Sequence, residues 1–515
     1  MPGSTARRLY PPHLRGDNLR WPATLFLCGC ILLGMALRLY ELTEHSLWFD
    51  EILTAIRSGD SLGWLLLRSE PARFRPVLYI ITHFSLLSLG ESDFAVRLPA
   101  VIEGVLGVAV MYRVGKALFG RREGLLAAFL LAVSPFHIAH SQEARFYALM
   151  VLLSLGTVFF LWKALAGEGR RFWLGFAILS ALNIYNHPAA LLLLAGEIIF
   201  ILRWDALLKV RPTWPGILLI IPALAGLAAL GRLYYAALPD YVKFPLAWPE
   251  VSKLFSFSAE TFSYFGAGGG FTFCLFLALF LLGLFAGRRA ALLILSVIAP
   301  TLAVLPFIGG TYPLAYKYVV FILPMYLLGI SRGVITFGEM TFRCLALWKS
   351  QTSGIAVRSL ATCLAVGALA WLSLVAAFGY YQAEMEDWRG LADFLRQNVL
   401  RGEAVISTPF SPALDTSFES HVLSYYNPIP EEGVDFLIIG SVAEMEEACR
   451  RYARLWFALT PPYSDLEPEL KEWLYSHSHA SFHFHPDFQV LSLDGGDAGC
   501  LNSEVRASHL ERSEK

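Results

Sequence analysis

Long apolar runs dominate the first 380 residues of the chain and alternate with short polar connections. A run of roughly 20 apolar residues is long enough to cross a bilayer as one helix. Runs of this kind cover residues 22–40, 96–118, 124–141, 146–166, 171–186, 188–204, 214–236, 270–287, 290–308, 316–335 and 359–380. The pattern therefore predicts a polytopic α-helical membrane protein with about 11 transmembrane helices.

The composition supports this class. Of the 515 residues, 56% are hydrophobic and 16% are charged, and the mean hydropathy is +0.53. Soluble proteins carry about 25% charged residues, so a string of soluble domains is excluded. The chain has no basic stripe and no nucleic-acid-binding motif, which excludes DNA or RNA as a partner.

The basic residues predict the orientation of the helices. Arg7, Arg8, Arg15 and Arg20 precede the first run, and no A-x-A cleavage site follows it, so we interpret this run as an uncleaved helix with a cytoplasmic N-terminus. The other basic clusters fall in alternate connections: Arg121/Arg122, Lys163/Arg170/Arg171, Arg203/Lys209/Arg211, Arg288/Arg289 and Arg343/Lys349/Arg358. Because basic loops stay inside, we expect a multi-pass protein of the cell (inner) membrane with its C-terminus outside.

One apolar segment is too short for a span. Residues 76–89 have the length of an interfacial segment, and if they crossed the membrane, every later basic loop would lie outside. We therefore predict a juxtamembrane or re-entrant helix on the outer side. This interpretation keeps eleven spans, as the apolar runs indicate.

The last 135 residues have a different character. Residues 381–515 carry 10 Lys and Arg against 23 Asp and Glu, and helical patterns at 387–400 and 443–453 alternate with strand patterns at 403–408, 434–440 and 454–459. The alternation predicts a soluble extracytoplasmic α/β domain with a largely parallel sheet. The predicted domains are thus a transmembrane domain, 1–380, whose catalytic outer loops are 41–95 and 140–146, and a C-terminal domain, 381–515. Cys449 and Cys500 in the tail either pair or stay free.

Four polar clusters fall on the predicted outer side: Trp48–Glu51, Ser141–Tyr147, Tyr185–Pro188 and Tyr312–Tyr318. Polar groups beside a bilayer are costly, so their common side indicates one functional site.

The residue types suit the transfer of a sugar from a lipid phosphate to a hydroxyl. That reaction needs a carboxylate base, which Asp50 supplies, and cations for the departing phosphate, which Arg145 and Lys317 supply. The helix at 76–89 would line a groove for the lipid tail.

Several segments resemble a known family. SLWFDE after the first helix, RLPA, FGRREGLLAAFLLAVSPFHIAHSQEARFYAL and YKYVVFILPMYLLGI are similar to bacterial glycosyltransferase family 39 enzymes of the GT-C superfamily, which include protein O-mannosyltransferases and the aminoarabinose transferase of lipid A. The resemblance covers roughly residues 20–400. It implies that Asp50, with Glu51 beside it, is the catalytic carboxylate and that Glu143 is the acid of the second loop. It also implies inversion at the sugar carbon and an extracytoplasmic active site.

The chain departs from that family at two positions. Many relatives have His-Pro-Pro before the short helix, where this chain has Arg73-Phe74-Arg75-Pro76, and Arg-Tyr where it has Lys317-Tyr318. Lys317 keeps the positive charge of the arginine but cannot bind phosphate with two parallel hydrogen bonds. Arg75 would offset this loss at the phosphate. The predicted residues for the donor phosphate and the substrate are Arg75, Arg145, Tyr147, His187, Lys317 and Tyr318.

Structural roles remain open for these residues. Arg145 and Lys317 also suit snorkelling at the interface, Tyr147 suits an aromatic belt, and Glu143 could pair with Arg145 as a structural bridge. A proline turn gives His187 a structural alternative. The four tail histidines from His477 to His485 favour an ordinary strand over a metal site, so no metal ligand is predicted; the superfamily contains metal-dependent and metal-independent members, and a divalent metal stays open.

The sequence predicts an enzyme of the cell envelope, a mannosyltransferase-like glycosyltransferase. Its partners would be a polyprenyl-phosphate-linked sugar donor, membrane lipid, and an acceptor that is a glycolipid, a polysaccharide or a protein. The main alternative is a polytopic transporter or lipid flippase, which would tend to show inverted repeats that this chain lacks. A non-catalytic membrane scaffold is a third alternative.

Overall fold

The computed structural model describes residues 20–67, 76–208, 251–308, 316–346, 351–383, 385–407, 425–426, 433–459, 467–485 and 488–494. These residues form two compact units. The first unit comprises the residues up to Leu42 and those from Arg57 to Gln382. The second unit comprises Thr43–Ile56 and the residues from Ala383 onward. The segment that carries Asp50 and Glu51 therefore groups with the C-terminal part of the chain.

Helices make up the regular structure of the first unit. In chain order they are α1 (Arg20–Leu39), α2 (Phe49–Gly59, which begins in the second unit), α3 (Leu62–Leu67), α4 (Pro76–Leu89), α5 (Asp93–Leu118), α6 (Arg121–Ala132), α7 (Pro135–Gln142), α8 (Tyr147–Leu165), α9 (Arg170–Asn186), α10 (Ala190–Leu208), α11 (Val251–Phe265), α12 (Phe271–Phe285), α13 (Arg288–Ile308), a 3-10 helix (Tyr316–Ile322), α14 (Leu323–Ala346) and α15 (Gln351–Tyr381). The predicted apolar runs in the described part of the chain thus form helices, as expected.

Within the described ranges, five helical segments are long and apolar enough to cross a membrane: Pro22–Leu39, Asp93–Leu118, Tyr147–Leu165, Tyr316–Cys344 and Ser359–Tyr381. A sixth results if α6 and α7, which meet at 56°, count as one broken span. The apolar helices α4, α12 and residues 289–304 of α13 are shorter. The predicted span at 214–236 lies outside the described residues, so the total of eleven stays a prediction, as does the outer position of α4.

Small residues allow α12 and α14 to pack closely. A Cβ atom on Gly283 would lie 1.9 Å from the carbonyl oxygen of Gly329, and a Cβ atom on Gly333 would lie 1.8 Å from the carbonyl oxygen of Leu279. Gly329 and Gly333 are four residues apart on α14, the spacing by which small residues let two membrane helices approach at backbone distance. Larger side chains at these glycines would force the two helices apart.

The second unit is an α/β domain with a five-stranded sheet. Its elements are α16 (Trp388–Asn398), β1 (Ala404–Ser407), β2 (Asp435–Ile438), α17 (Val442–Arg451), β3 (Arg454–Leu459), α18 (Pro468–His477), β4 (Ala480–His485) and β5 (Phe488–Asp494). The strand order is β2-β1-β3-β5-β4. The strands and helices predicted at the five patterned segments are confirmed to within a few residues.

The prediction of a largely parallel sheet is correct for half of the sheet. Strand β1 pairs in parallel with both β2 and β3, with Val405 opposite Phe436 on one side and Trp456 on the other. Strand β5 pairs antiparallel with β3 and with β4. Only residues 486–487 separate β4 from β5, which is too short for the crossover that parallel strands need.

Helices α17 and α18 cover one face of this sheet. Their apolar side chains, which include Met445 and Leu474, pack against Leu455 and Phe457 of β3 in a buried core. Cys449 of α17 is buried in the same core and is disulfide-bonded. Cys500, the pairing candidate in the tail, lies outside the described residues.

Candidate functional site

The bend between α6 and α7 carries predicted site residues of the first unit. Pro135 cannot continue the helix because it has no N–H, and Ser134 begins α7 by accepting a hydrogen bond from the N–H of His137 at 3.4 Å. Helix α7 is short and ends at Gln142, so that Glu143 follows in an extended conformation. The local sequence thus explains why Glu143 stands at a helix end.

Arg38 holds this bend from the end of α1. Its side chain is fully buried and donates hydrogen bonds to the carbonyl oxygens of Leu131 and Ala132, each at 3.1 Å, and to Nδ1 of His137 at 2.6 Å. These two carbonyls belong to the last turn of α6, where the helix itself supplies no donors. Gln142 donates in return to the carbonyl oxygens of Arg38 and Tyr40. The end of α7 is therefore fixed on both sides.

Glu143 lies in a positive environment. Nδ1 of His140, one turn earlier on α7, is 3.2 Å from Oε2 of Glu143, and the Glu143 side chain is 22% exposed. Burial by itself would raise the pKa of the Glu143 carboxyl, but His140, Lys317 and Arg145 together lower it below its ordinary value. The structure thus brings together three predicted site residues, Glu143, Arg145 and Lys317.

Aromatic rings form a wall beside these charges. The rings of Phe146 and His187 stack with centroids 4.1 Å apart, and Tyr318 lies nearly parallel to His187 at 5.5 Å. Tyr147 is buried inside the unit, 4.6 Å from His140, and the Lys317 ammonium lies 6.0 Å from the centroid of its ring. The predicted residues Tyr147, His187 and Tyr318 therefore belong to the same cluster as Glu143.

The turn after α9 orients His187. The backbone N–H of Ala189 donates to its Nδ1 at 3.2 Å, so that in the neutral ring Nε2 carries the proton. Asn186, which is fully buried, donates to the carbonyl oxygen of Phe146 at 3.0 Å. This bond joins the end of α9 to the start of α8, and it keeps Phe146 stacked against His187.

Asp50 and Glu51 lie in the first turn of α2, within the second unit. Glu51 is fully buried, and its Oε2 accepts a hydrogen bond from the backbone N–H of Trp48 at 3.3 Å. Asp50 is half-buried, and its carbonyl oxygen accepts from the hydroxyl of Thr54. Carboxylates in the first turn are stabilised by the helix dipole. Of this pair, Glu51 has the geometry of a capping residue, and Asp50 is the more accessible acid.

The remaining predicted residue, Arg75, lies outside the described residues. Among the residues that the structure describes, no three His, Cys, Asp or Glu side chains come together as a metal-binding group. The tail histidines have other contacts: His477 stacks on Trp473 with centroids 4.3 Å apart, and Nε2 of His479 lies 3.0 Å from Asp494.

Sequence reasoning missed three residues around these acids: Arg38, His140 and Glu386. The His140–Glu143 contact has a local signal, because side chains three residues apart share a helix face. Arg38 and its carbonyl partners on α6 are more than 90 residues apart in the chain. Glu386 contacts Phe49 across 337 residues. No spacing rule connects positions so far apart.

Comparisons with known proteins show what the chain is similar to. The family model described as dolichyl-phosphate-mannose-protein mannosyltransferase matches residues 74–229. "Putative mannosyltransferase YkcB" of Bacillus subtilis (strain 168) is 30% identical over 158 residues, which are 30% of this chain and 21% of that protein. The match thus spans about a fifth of the relative's length.

Two solved structures share most of the fold. ArnT from Cupriavidus metallidurans in the apo state has a TM-score of 0.55 at 12% identity, and the match covers 92% of this chain and 98% of that chain. The archaeal oligosaccharyltransferase AglB from Archaeoglobus fulgidus has a TM-score of 0.54 at 9% identity, covering 86% and 70%.

The chain has the fold of the GT-C membrane glycosyltransferases. The resemblance inferred from the sequence motifs is thereby confirmed. Together with the apolar helices, it makes the chain a polytopic membrane protein. The GT-C fold does not favour a transporter, which was the main alternative.

Proposed function

We propose that the protein is an inverting glycosyltransferase that moves a sugar from a polyprenyl-phosphate donor to a hydroxyl group outside the cytoplasmic membrane. The observation that carries this proposal is the cluster at the ends of α7, α8 and α9. There, two cations, one carboxylate and a wall of parallel rings come together in a GT-C fold. Asp50 acts as the general base in this proposal.

The reaction requires one bond to form as another breaks. The acceptor oxygen attacks the anomeric carbon and gives its proton to the Asp50 carboxylate, while the bond from that carbon to the phosphate oxygen breaks. The sugar carbon inverts, and polyprenyl phosphate departs with the extra negative charge. That charge needs cations close by, because ion pairing to the leaving phosphate lowers the barrier.

Arg145 and Lys317 are the cations that we assign to the phosphate. With Glu143 ionised, these three side chains carry one net positive charge. A site with a net positive charge attracts a phosphate. The affinity for phosphate stays moderate, because Glu143 competes for the same cations. Glu143 thereby orients Arg145 and Lys317 when the donor is absent.

The aromatic wall suits the sugar end of the donor. Apolar faces of a sugar ring pack on aromatic side chains, and Tyr318 and His187 offer such faces. Nε2 of His187 is a donor in the neutral ring, so we assign it to a sugar hydroxyl.

Relatives of similar fold support a lipid phosphate as the ligand. ArnT from Cupriavidus metallidurans has also been solved bound to undecaprenyl phosphate, with a TM-score of 0.51 to this chain at 12% identity and the same coverage as its apo form. AglB was solved with dolichol-phosphate and an inhibitory peptide. The matched family model likewise describes a dolichyl-phosphate-mannose user. These ligands differ in lipid and acceptor but share a polyprenyl phosphate.

An extracytoplasmic location suits the second unit. The disulfide at Cys449 supports it, because such bonds persist in oxidising compartments. The basic loops of the first unit support the same orientation. We therefore assign the active site and the C-terminal domain to the outer side of the cell membrane.

The decisive experiment uses the purified protein in proteoliposomes with a panel of labelled polyprenyl-phosphate sugars and an envelope extract as acceptor. Release of polyprenyl phosphate and transfer of label are followed for wild type, Asp50→Asn and Asp60→Asn. Loss of a general base costs roughly 100-fold to 10,000-fold in rate, so we expect Asp50→Asn to lose turnover. Asp60→Asn changes a half-buried aspartate outside the first turn of α2 and should leave turnover intact.

Full turnover in folded Asp50→Asn would move the base to another carboxylate, and Glu143→Gln would then be measured in the same assay. Movement of lipid or solute by wild type without a covalent product would replace the proposal with the transporter.

A further inference from the structure

The start of α2 is held by a glutamate from the C-terminal region. Oε2 of Glu386 accepts a hydrogen bond from the backbone N–H of Phe49 at 3.1 Å and another from the indole Nε1 of Trp388 at 2.7 Å. Both Phe49 and Glu386 belong to the second unit, although 337 residues separate them in the chain. A single carboxylate oxygen thus joins the helix start to the domain.

Further contacts repeat this attachment. The hydroxyl of Ser46 donates to the carbonyl oxygen of Glu386 at 2.7 Å and accepts from the backbone N–H of Trp388 at 3.1 Å. The rings of Phe49 and Trp388 lie 6.1 Å apart, and Trp388 is 1% exposed. The backbone N–H of Leu47 donates to the hydroxyl of Tyr426 at 2.5 Å. The segment before Asp50 is therefore bound to the C-terminal region along its length.

The chemistry of a helix start explains why a carboxylate is needed here. The first N–H groups of a helix have no partner within the helix, and a side-chain oxygen of the preceding residue usually accepts one of them. The residue before α2 is Trp48, whose side chain contains no oxygen. Glu386 supplies the missing acceptor, and its negative charge also suits the positive end of the helix dipole.

We propose that Glu386 is a positioning residue for catalysis: it fixes the first turn of α2 and thereby the direction of the Asp50 carboxylate. It acts through Phe49 and Trp388. The C-terminal domain then has a defined task, because its Glu386 holds the helix turn that carries Asp50. This inference rests on the proposed role of Asp50 as the base.

The test compares Glu386→Ala with Glu403→Ala in the proteoliposome assay. Glu403 is a close structural match in the same unit, since its Oε2 accepts from the backbone N–H of Leu400 at 3.0 Å and from Nε1 of Trp456 at 2.8 Å. Glu403 makes these bonds beside β1 instead of at the start of α2. The pair therefore separates the loss of a carboxylate oxygen that accepts two N–H groups from the loss of the contact to α2.

A misplaced catalytic group costs on the order of 100-fold in rate. We expect Glu386→Ala to lower kcat about 10-fold to 100-fold while KM for the donor stays within about twofold, and Glu386→Gln, which keeps an acceptor oxygen, to recover part of kcat. Glu403→Ala should lower the melting temperature of the protein and leave kcat unchanged. Thermal unfolding of every variant is measured alongside.

Two outcomes would overturn the inference. Glu386→Ala could retain wild-type kcat, or Glu386→Ala and Glu403→Ala could lose kcat in the same proportion as stability, which would make Glu386 merely structural. The Asp50→Asn variant separates these results from failure of the proposed function. If Asp50→Asn is inactive while Glu386→Ala is fully active, the base stands and only the positioning role is lost.

Discussion

Glu143 of the first unit and Asp50 of the second, the two candidate acids, lie at opposite kinds of helix end. Glu143 follows the last turn of α7, and its partner His140 is three residues earlier in the chain. Asp50 lies in the first turn of α2, and the carboxylate that holds this turn comes from Glu386, near the start of the C-terminal domain. The charge on one acid is thus set largely by cations around it, whereas the direction of the other depends on a contact between distant parts of the chain.

The bend under Glu143 offers the largest expected effect. Arg38→Met removes the donors to the carbonyl oxygens of Leu131 and Ala132 while it keeps a long side chain. A buried carbonyl without a donor costs about 1–3 kcal/mol, so we expect the free energy of unfolding to fall by roughly 3 kcal/mol. Thermal unfolding of the purified protein in detergent measures this loss.

Arg171→Met is the control, since Arg171 is exposed at the start of α9. Equal melting temperatures for the two variants would mean that Arg38 does not hold the bend. A normal transfer rate in the Arg38→Met protein that remains folded would show that the bend under Glu143 can be weakened without disturbing Asp50.

Lys317→Ala tests the cations around Glu143, with an intermediate effect. A hydrogen bond to a charged group is worth about 1.5–3 kcal/mol, so the variant should bind polyprenyl phosphate roughly 10-fold to 100-fold more weakly. Lys317→Arg should retain binding, because it keeps the charge and adds a fork. Titration of detergent-solubilised protein with polyprenyl phosphate gives the affinities.

Lys163→Ala serves as its control. Lys163 pairs with Glu168 at the far end of α8, with 2.7 Å between Nζ and Oε1, and its loss should leave the affinity unchanged. Equal affinities of wild type and Lys317→Ala would remove Lys317 from the phosphate site.

The smallest effect concerns the charge of Glu143 itself. Its pKa is lowered in the folded protein, so ionised Glu143 contributes stability above its ordinary pKa of 4.5, and this contribution is lost as the pH falls through the lowered value. Wild type should therefore have a higher melting temperature than Glu143→Gln at neutral pH, and the difference in melting temperature should vanish in acid. A difference that is constant with pH would contradict the assigned ion pairs. Glu168→Gln, which changes an exposed pair, is the matched control.

Much of the fold could be predicted because its signals are local. Apolar runs predicted most helices of the first unit, although α2, α3 and α11 fall outside these runs. The patterned segments predicted β1, β2, β3, α16 and α17 to within a few residues. The antiparallel pairing of β4 with β5 was not predicted, although Pro486 and Asp487, which separate the two strands in the sequence, are typical turn residues. This two-residue connection decides the pairing.

The candidate site was predictable where its residues belong to motifs. Glu143, Arg145 and Tyr147 come from one short block, and the structure adds His187, Lys317 and Tyr318 to them. The different environments of Asp50 and Glu51 could not be predicted, because adjacent residues on a helix point in directions about 100° apart. The full burial of Glu51 and the partial burial of Asp50 follow from what packs against α2.

The sequence by itself determined the membrane class, most of the helices and strands, and the candidate residues for the proposed chemistry, because hydropathy and short motifs act over a few turns of chain. The tertiary structure alone decided how those residues are held. Arg38 reaches α6 across 94 residues, and Glu386 reaches α2 across 337. A hydrogen bond depends on distance and angle in space, and these are set only when the separate elements pack against one another.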